Sequence, residues 1–149
     1  MRVLAATTFL ALGLAACGGG SSTPRVAVED ARITLPAVKG RPGAGYFTAE
    51  ADALPEAIVA ITGPPPTRIE MHESMTSGSM ASMQTIPSAP FEAGKPMVFE
   101  PGGKHLMVFS LDPSVKAGDT LQLTFRFAKA PPVTVQAKVL GPGGAHVGH

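Results

Sequence analysis

Apart from Met1, all six methionines of this 149-residue chain fall between Met71 and Met107, and two of its four histidines, His72 and His105, share that stretch. Thioether sulfur is a soft ligand and imidazole a borderline one, so a mixed Met/His cluster favours monovalent copper over hard ions such as magnesium or calcium. In chain order the pieces are His72, ten residues, Met83, twenty-one residues, and then His105-Leu106-Met107. Two methionines and two histidines form a neutral ligand shell, which suits Cu(I) and leaves it exchangeable.

Short strands must position these residues. Fifteen prolines and seventeen glycines interrupt the chain too often for long helices, whereas short strands are well bounded. Strands are expected near Val26–Leu35, Gly45–Ala49, Ala57–Thr62, Thr67–His72, Met83–Ile86, Pro96–Glu100, His105–Leu111, Thr120–Phe127 and Pro132–Leu140. The clearest alternation sets Leu121, Leu123, Phe125 and Phe127 inward against Gln122, Thr124 and Arg126, and Val133, Val135, Ala137 and Val139 repeat it. The fold class read from this pattern is all-β, an antiparallel sandwich or barrel. Pro101-Gly-Gly-Lys104 is a hairpin turn, because consecutive glycines accept the positive φ that tight hairpins require. His105 and Met107, two apart on the strand that follows, share one face. His72 is expected to close its strand and Met83 to open the next, after a polar loop from Ser74 to Ser82. All four candidates then lie at or within two residues of a strand end.

The His-x10-Met-x21-His-x-Met spacing resembles the signature of the periplasmic copper chaperone family written PCu(A)C, and every position matches. Arg68-Ile-Glu-Met-His-Glu-Ser-Met75, Glu100-Pro-Gly-Gly-Lys-His-Leu-Met107 and the Lys116-Ala-Gly-Asp-Thr-Leu121 turn are also similar to that family. The resemblance covers roughly Tyr46 to Leu140, and four residues at fixed spacing are far more specific than a lone short motif. One departure follows Tyr46, where the family usually carries an Asn and this chain has Glu50-Ala51-Asp52. The resemblance implies a cupredoxin-like antiparallel β-sandwich that binds one Cu(I) through His72, Met83, His105 and Met107. It further implies delivery of copper to the CuA centre of a cytochrome c oxidase, with a CuA-assembly thiol protein as co-worker. Copper sequestration without delivery, or a structural envelope lipoprotein, are the alternatives.

The remaining methionines and histidines read differently. Met97 alternates with Phe99 and is core filler, and Met71 points away from His72 into the core. Met75 and Met80, in the polar loop, are candidate secondary copper contacts for uptake or hand-off. His146 and His149 lie in a glycine-rich tail, residues 141–149, read as a disordered terminus with incidental histidines.

Arg2 is followed by an apolar run from Val3 to Ala16, short of the roughly 20 residues that span a bilayer. The run ends in Leu14-Ala15-Ala16-Cys17, the pattern of an export signal closing in a bacterial lipobox. Residues 1–16 are thus expected to be a signal peptide and Cys17 the acylated first residue of the mature protein. Residues 17–24 would be a flexible tether and 25–140 the copper-binding domain. The expected location is the periplasmic side of the cell envelope, on a lipid anchor. Cys17 is the single cysteine, so nothing is left for a disulfide, a thiolate metal site or a blue-copper centre. Without Arg2, eleven Lys and Arg balance eleven Asp and Glu, and no basic block suggests nucleic acid. Catalytic signatures such as Gly-x-Ser-x-Gly are missing. A monomeric carrier is expected rather than an enzyme.

Overall fold

The computed structural model describes residues 23–144, and every regular element among them is a strand. In chain order they are β1 (Val26–Thr34), β2 (Gly43–Ala51), β3 (Glu56–Thr62), β4 (Arg68–Ser77), β5 (Met80–Thr85), β6 (Ala89–Phe91), β7 (Met97–Phe99), β8 (Lys104–Phe109), β9 (Thr120–Phe127) and β10 (Val133–Leu140). Neighbouring strands follow the path β5-β4-β8-β2-β1-β10-β9-β3-β6, and β7 also pairs with β2.

The path folds over on itself. Phe47 on β2 and Phe125 on β9 have two strands between them along the sheet, yet their rings meet edge to face at 4.8 Å. Phe99 also stacks on Phe47, at 4.3 Å, and all three rings are almost fully buried. Such pairs contribute about 0.5–1.5 kcal/mol each beyond their area. Around them pack Ile33, Ile58, Leu106, Leu123, Val108 and Val139, the apolar halves of alternating strands. The expected inward set Leu121, Leu123, Phe125 and Phe127 is buried, as are Met71 and Met97.

The all-β fold class is borne out, with one amendment to the antiparallel reading. β1 runs parallel to β10, pairing Arg32 with Lys138 and Thr34 with Leu140. The first and last strands of the domain meet there, a long-range contact that no local pattern encodes. Two further differences concern element limits. β6 was not expected because it holds three residues including Pro90, which suits only the outer end of the strand path. The Ser74–Ser82 loop does not exist as such: β4 and β5 continue through it to a two-residue turn at Gly78-Ser79, where Ser77 pairs with Met80. His72 therefore lies inside β4 rather than at its end. Gly78 has φ 63°, the left-handed value that the first position of such a turn requires.

On β3, near the other end of the strand path, the buried carboxylate of Glu56 accepts from the backbone N–H of Ala57, Lys129 and Ala130 at 2.6–3.2 Å. It clasps the start of β3 to the segment leaving β9.

Candidate metal centre

Register decides which side chains share a face. Across β4 and β8, His72 pairs directly with His105, Glu70 with Met107 and Arg68 with Phe109. Across β4 and β5, His72 pairs with Thr85 and Ser74 with Met83. Residues two apart on a strand point the same way, so His72, His105, Met107 and Met83 all lie on one face of the three-stranded β5-β4-β8 segment. Met71, Leu106 and Val108 occupy the opposite face and enter the core. All four candidate residues of the spacing motif are thus brought together on the outer face of the sheet.

Their settings differ. His105 is buried at 7% exposure, the His72 side chain is nearly so at 13%, Met107 is half-buried, and Met83 is 54% exposed. The two imidazole rings stand 6.0 Å apart, centre to centre. Bonds of about 2 Å from each ring could reach a shared ion across that gap.

The hydrogen bonds fix each ring's tautomer. The Pro101-Gly102-Gly103 turn joins β7 to β8 as expected, with Gly102 at φ 84°. It presents the Gly103 carbonyl, which accepts from the Ser74 backbone N–H at 3.1 Å and lies 3.0 Å from His105 Nδ1. A carbonyl only accepts, so Nδ1 carries a proton, and in the neutral ring the lone pair is on His105 Nε2. His72 is set the other way. Its Nε2 lies 3.0 Å from Glu70 Oε2 and 3.3 Å from Thr85 Oγ1, while its Nδ1 is buried without a hydrogen-bond partner. Burial also pushes the His72 pKa below its ordinary value, favouring the neutral ring. The face therefore offers two thioethers and, from each ring in its neutral form, one imidazole lone pair.

Met75 and Met80 behave differently. They pair with Ser82 and Ser77 and so lie on the face opposite His72, both exposed near the hairpin turn. Glu73 and Lys104 share that face as an ion pair at 2.9 Å. Among the described residues no three His, Cys, Asp or Glu side chains gather in a group that could hold an ion. Cys17, the expected signal segment, most of the expected tether, and His146 and His149 lie outside the described residues.

Sequence reasoning overlooked Glu70, Arg68 and Thr85. Period-two spacing within Arg68-Ile-Glu-Met-His72 already aligns Arg68 and Glu70 with His72, and that signal could have found two of the three.

Residues 26–139 match the family described as "Putative lipoprotein LpqE-like". The chain belongs to this LpqE-like family. It is 28% identical over 151 residues to "Putative lipoprotein Lxx21020" of Leifsonia xyli subsp. xyli (strain CTCB07), covering 92% of this chain and 90% of the relative. Among solved structures it is similar to the "Copper-bound PCuAC domain from PmoF2", with a TM-score of 0.65 and 18% identity over 78% of this chain and 93% of that one. It is also similar to apo-DR1885 from Deinococcus radiodurans, with a TM-score of 0.60 and 24% identity over 98% and 99%. The LpqE-like chain thus has the fold of PCuAC domains, and the PCu(A)C resemblance read in its sequence is borne out.

Proposed function

We propose that this LpqE-like protein is a copper carrier of the cell envelope that binds one Cu(I) through His72, Met83, His105 and Met107. The observation that carries the reading is register: two thioethers and two imidazoles share one outer face of β5-β4-β8. Soft, uncharged donors suit Cu(I) and leave it exchangeable, as a carrier requires. The copper-bound PCuAC structure of the same fold supports it. A carrier needs no catalytic group, and the chain is read as a binding protein rather than an enzyme.

The copper is passed to the CuA centre of cytochrome c oxidase, directly or through a CuA-assembly thiol protein. Met75 and Met80, exposed on the opposite face, serve as separate thioether contacts during arrival or release. Cys17 carries the lipid that holds the monomeric chain on the periplasmic side of a membrane. The names of the family and of its Leifsonia relative support the lipoprotein reading.

Competition titration of the protein against a Cu(I) chelator tests the core of the proposal. One equivalent should bind, Ag(I) should compete, and an equal concentration of Zn(II) should not; effective zinc competition would rule out this ligand set. Delivery is tested by mixing the copper-loaded protein with an apo CuA domain and following the CuA absorption. Retention of the copper would favour sequestration. Cys17→Ser should leave the protein as an uncleaved precursor or release it from its membrane, since stable anchoring depends on the acyl chains.

A further inference from the structure

The motif supplies four donors, but nothing in it says which nitrogen of each histidine meets the ion. The contacts around His72 bear on that question. Along the outer face of β4 stand Arg68, Glu70 and His72, opposite Phe109, Met107 and His105 of β8. Arg68 lies over the Phe109 ring, its guanidinium 4.1 Å from the centroid, and pairs with Glu70 Oε1. Glu70 Oε2 is then left for His72 Nε2, at 3.0 Å. Both oxygens of this carboxylate are thus engaged by side chains of its own strand, Oε1 by Arg68 and Oε2 by His72.

A carboxylate only accepts, so His72 Nε2 carries the proton and Nδ1 holds the lone pair. That Nδ1 is the nitrogen found buried without a partner. A buried polar atom left unpaired is unfavourable unless something else occupies it. His105 is held in the opposite sense, its Nδ1–H donated to the Gly103 carbonyl. In metal sites a histidine commonly donates its other ring N–H to a carboxylate or carbonyl, which fixes the ring and raises its basicity.

We infer that Glu70, itself anchored by Arg68, is a positioning residue that makes His72 bind the ion through Nδ1 while His105 binds through Nε2. The inference rests on the four-residue site proposed above and adds to it an atom-level assignment and two supporting side chains. The arrangement is asymmetric. One imidazole is steered by a side-chain anion on its own strand, the other by a backbone carbonyl of the preceding turn. Removing Glu70 should therefore disturb His72 and leave His105 alone.

The test is nitrogen NMR of the 15N-histidine-labelled full chain in detergent, with Ag(I) as the soft, diamagnetic probe. The metal-free protein should show His72 as the Nε2–H tautomer and His105 as the Nδ1–H tautomer. Added Ag(I) should shift His72 Nδ1 and His105 Nε2. Glu70→Ala should abolish the single-tautomer signature of His72, leave that of His105 intact, and weaken Ag(I) binding by about 10–100-fold. Glu70→Gln keeps an acceptor oxygen at the same reach and should restore the His72 tautomer with most of the affinity. Silver on His72 Nε2 in the unaltered protein would overturn the inference while sparing the four-residue site. So would a Glu70→Ala protein with unchanged tautomer and affinity. Absence of any silver shift at either ring would sink the site itself and the inference with it.

Discussion

His72 and Met83 stand one diagonal step apart on adjacent strands: Met83 pairs with Ser74, two residues beyond His72 on the same face. That step exists only because β4 and β5 run unbroken to the turn at Gly78-Ser79. With His105 directly opposite His72 on the other side of β4, the central strand carries one residue of the spacing motif and its two neighbours carry three.

The four donors should not contribute equally to copper binding. His105 is buried and oriented by a carbonyl, whereas Met83 is more than half exposed on the outermost strand of the path. His105→Ala should lower Cu(I) affinity by about 100-fold or more, since even supporting partners account for roughly 10–100-fold. Met83→Ala should lose less. Chelator competition on both variants gives the ranking, and an equal or reversed order would contradict the burial argument.

Acid should act on His72 later than on a free imidazole. Its folded pKa is depressed by burial, so below the ordinary value of about 6.5 the unfolded chain binds more protons than the folded one. Stability of the metal-free protein should therefore fall as pH drops through 6.5 toward the folded His72 value, with no further loss on this account below it. Copper affinity declines in the same direction, because proton and metal compete for the neutral ring. Denaturant titrations at several pH values, with His72→Gln as the variant lacking this slope, check the sign. An NMR midpoint for His72 above 6.5 would contradict it.

The hairpin turn should influence the site at a distance. A side chain at position 78 meets nothing within 4 Å, so only the backbone conformation resists substitution. Gly78→Val should weaken the β4-β5 hairpin by about 1–2 kcal/mol. Hydrogen exchange of the β5 amides should quicken, and Cu(I) binding should weaken through Met83 while the Phe47 core stays intact. Unchanged β5 protection would show that the turn does not hold the strand.

Glu56 should matter for folding and not for copper. Replacing it with Ala leaves the Lys129 and Ala130 N–H groups without their acceptor, for a loss of about 1–3 kcal/mol for each buried donor left unsatisfied. The denaturation midpoint should drop while the Cu(I) affinity of the folded fraction holds. A matching fall in affinity would mean the clasp and the site are coupled.

Much of this protein was legible in its sequence because the relevant physics is local. Soft side chains at fixed spacing marked out the residues that the fold gathers on one face, and the Pro101-Gly-Gly-Lys104 turn announced the hairpin that starts β8. Strands β9 and β10 were readable because one of their faces is buried, which forces alternation. The same logic explains the failure at residues 74–82. That segment is exposed, so no apolar period marks it, and its extended form comes from backbone pairing with the neighbouring strand rather than from side-chain burial. Sequence alone set which donors exist. Tertiary structure decided that β8 and β5 flank β4 in a register that puts four of them on one face and turns Met75 and Met80 to the other. It also decided which nitrogen each imidazole presents to a neighbour only two residues away, His72 Nε2 to Glu70 and His105 Nδ1 to the Gly103 carbonyl, because ring orientation is set by packing in the folded sheet and not by spacing.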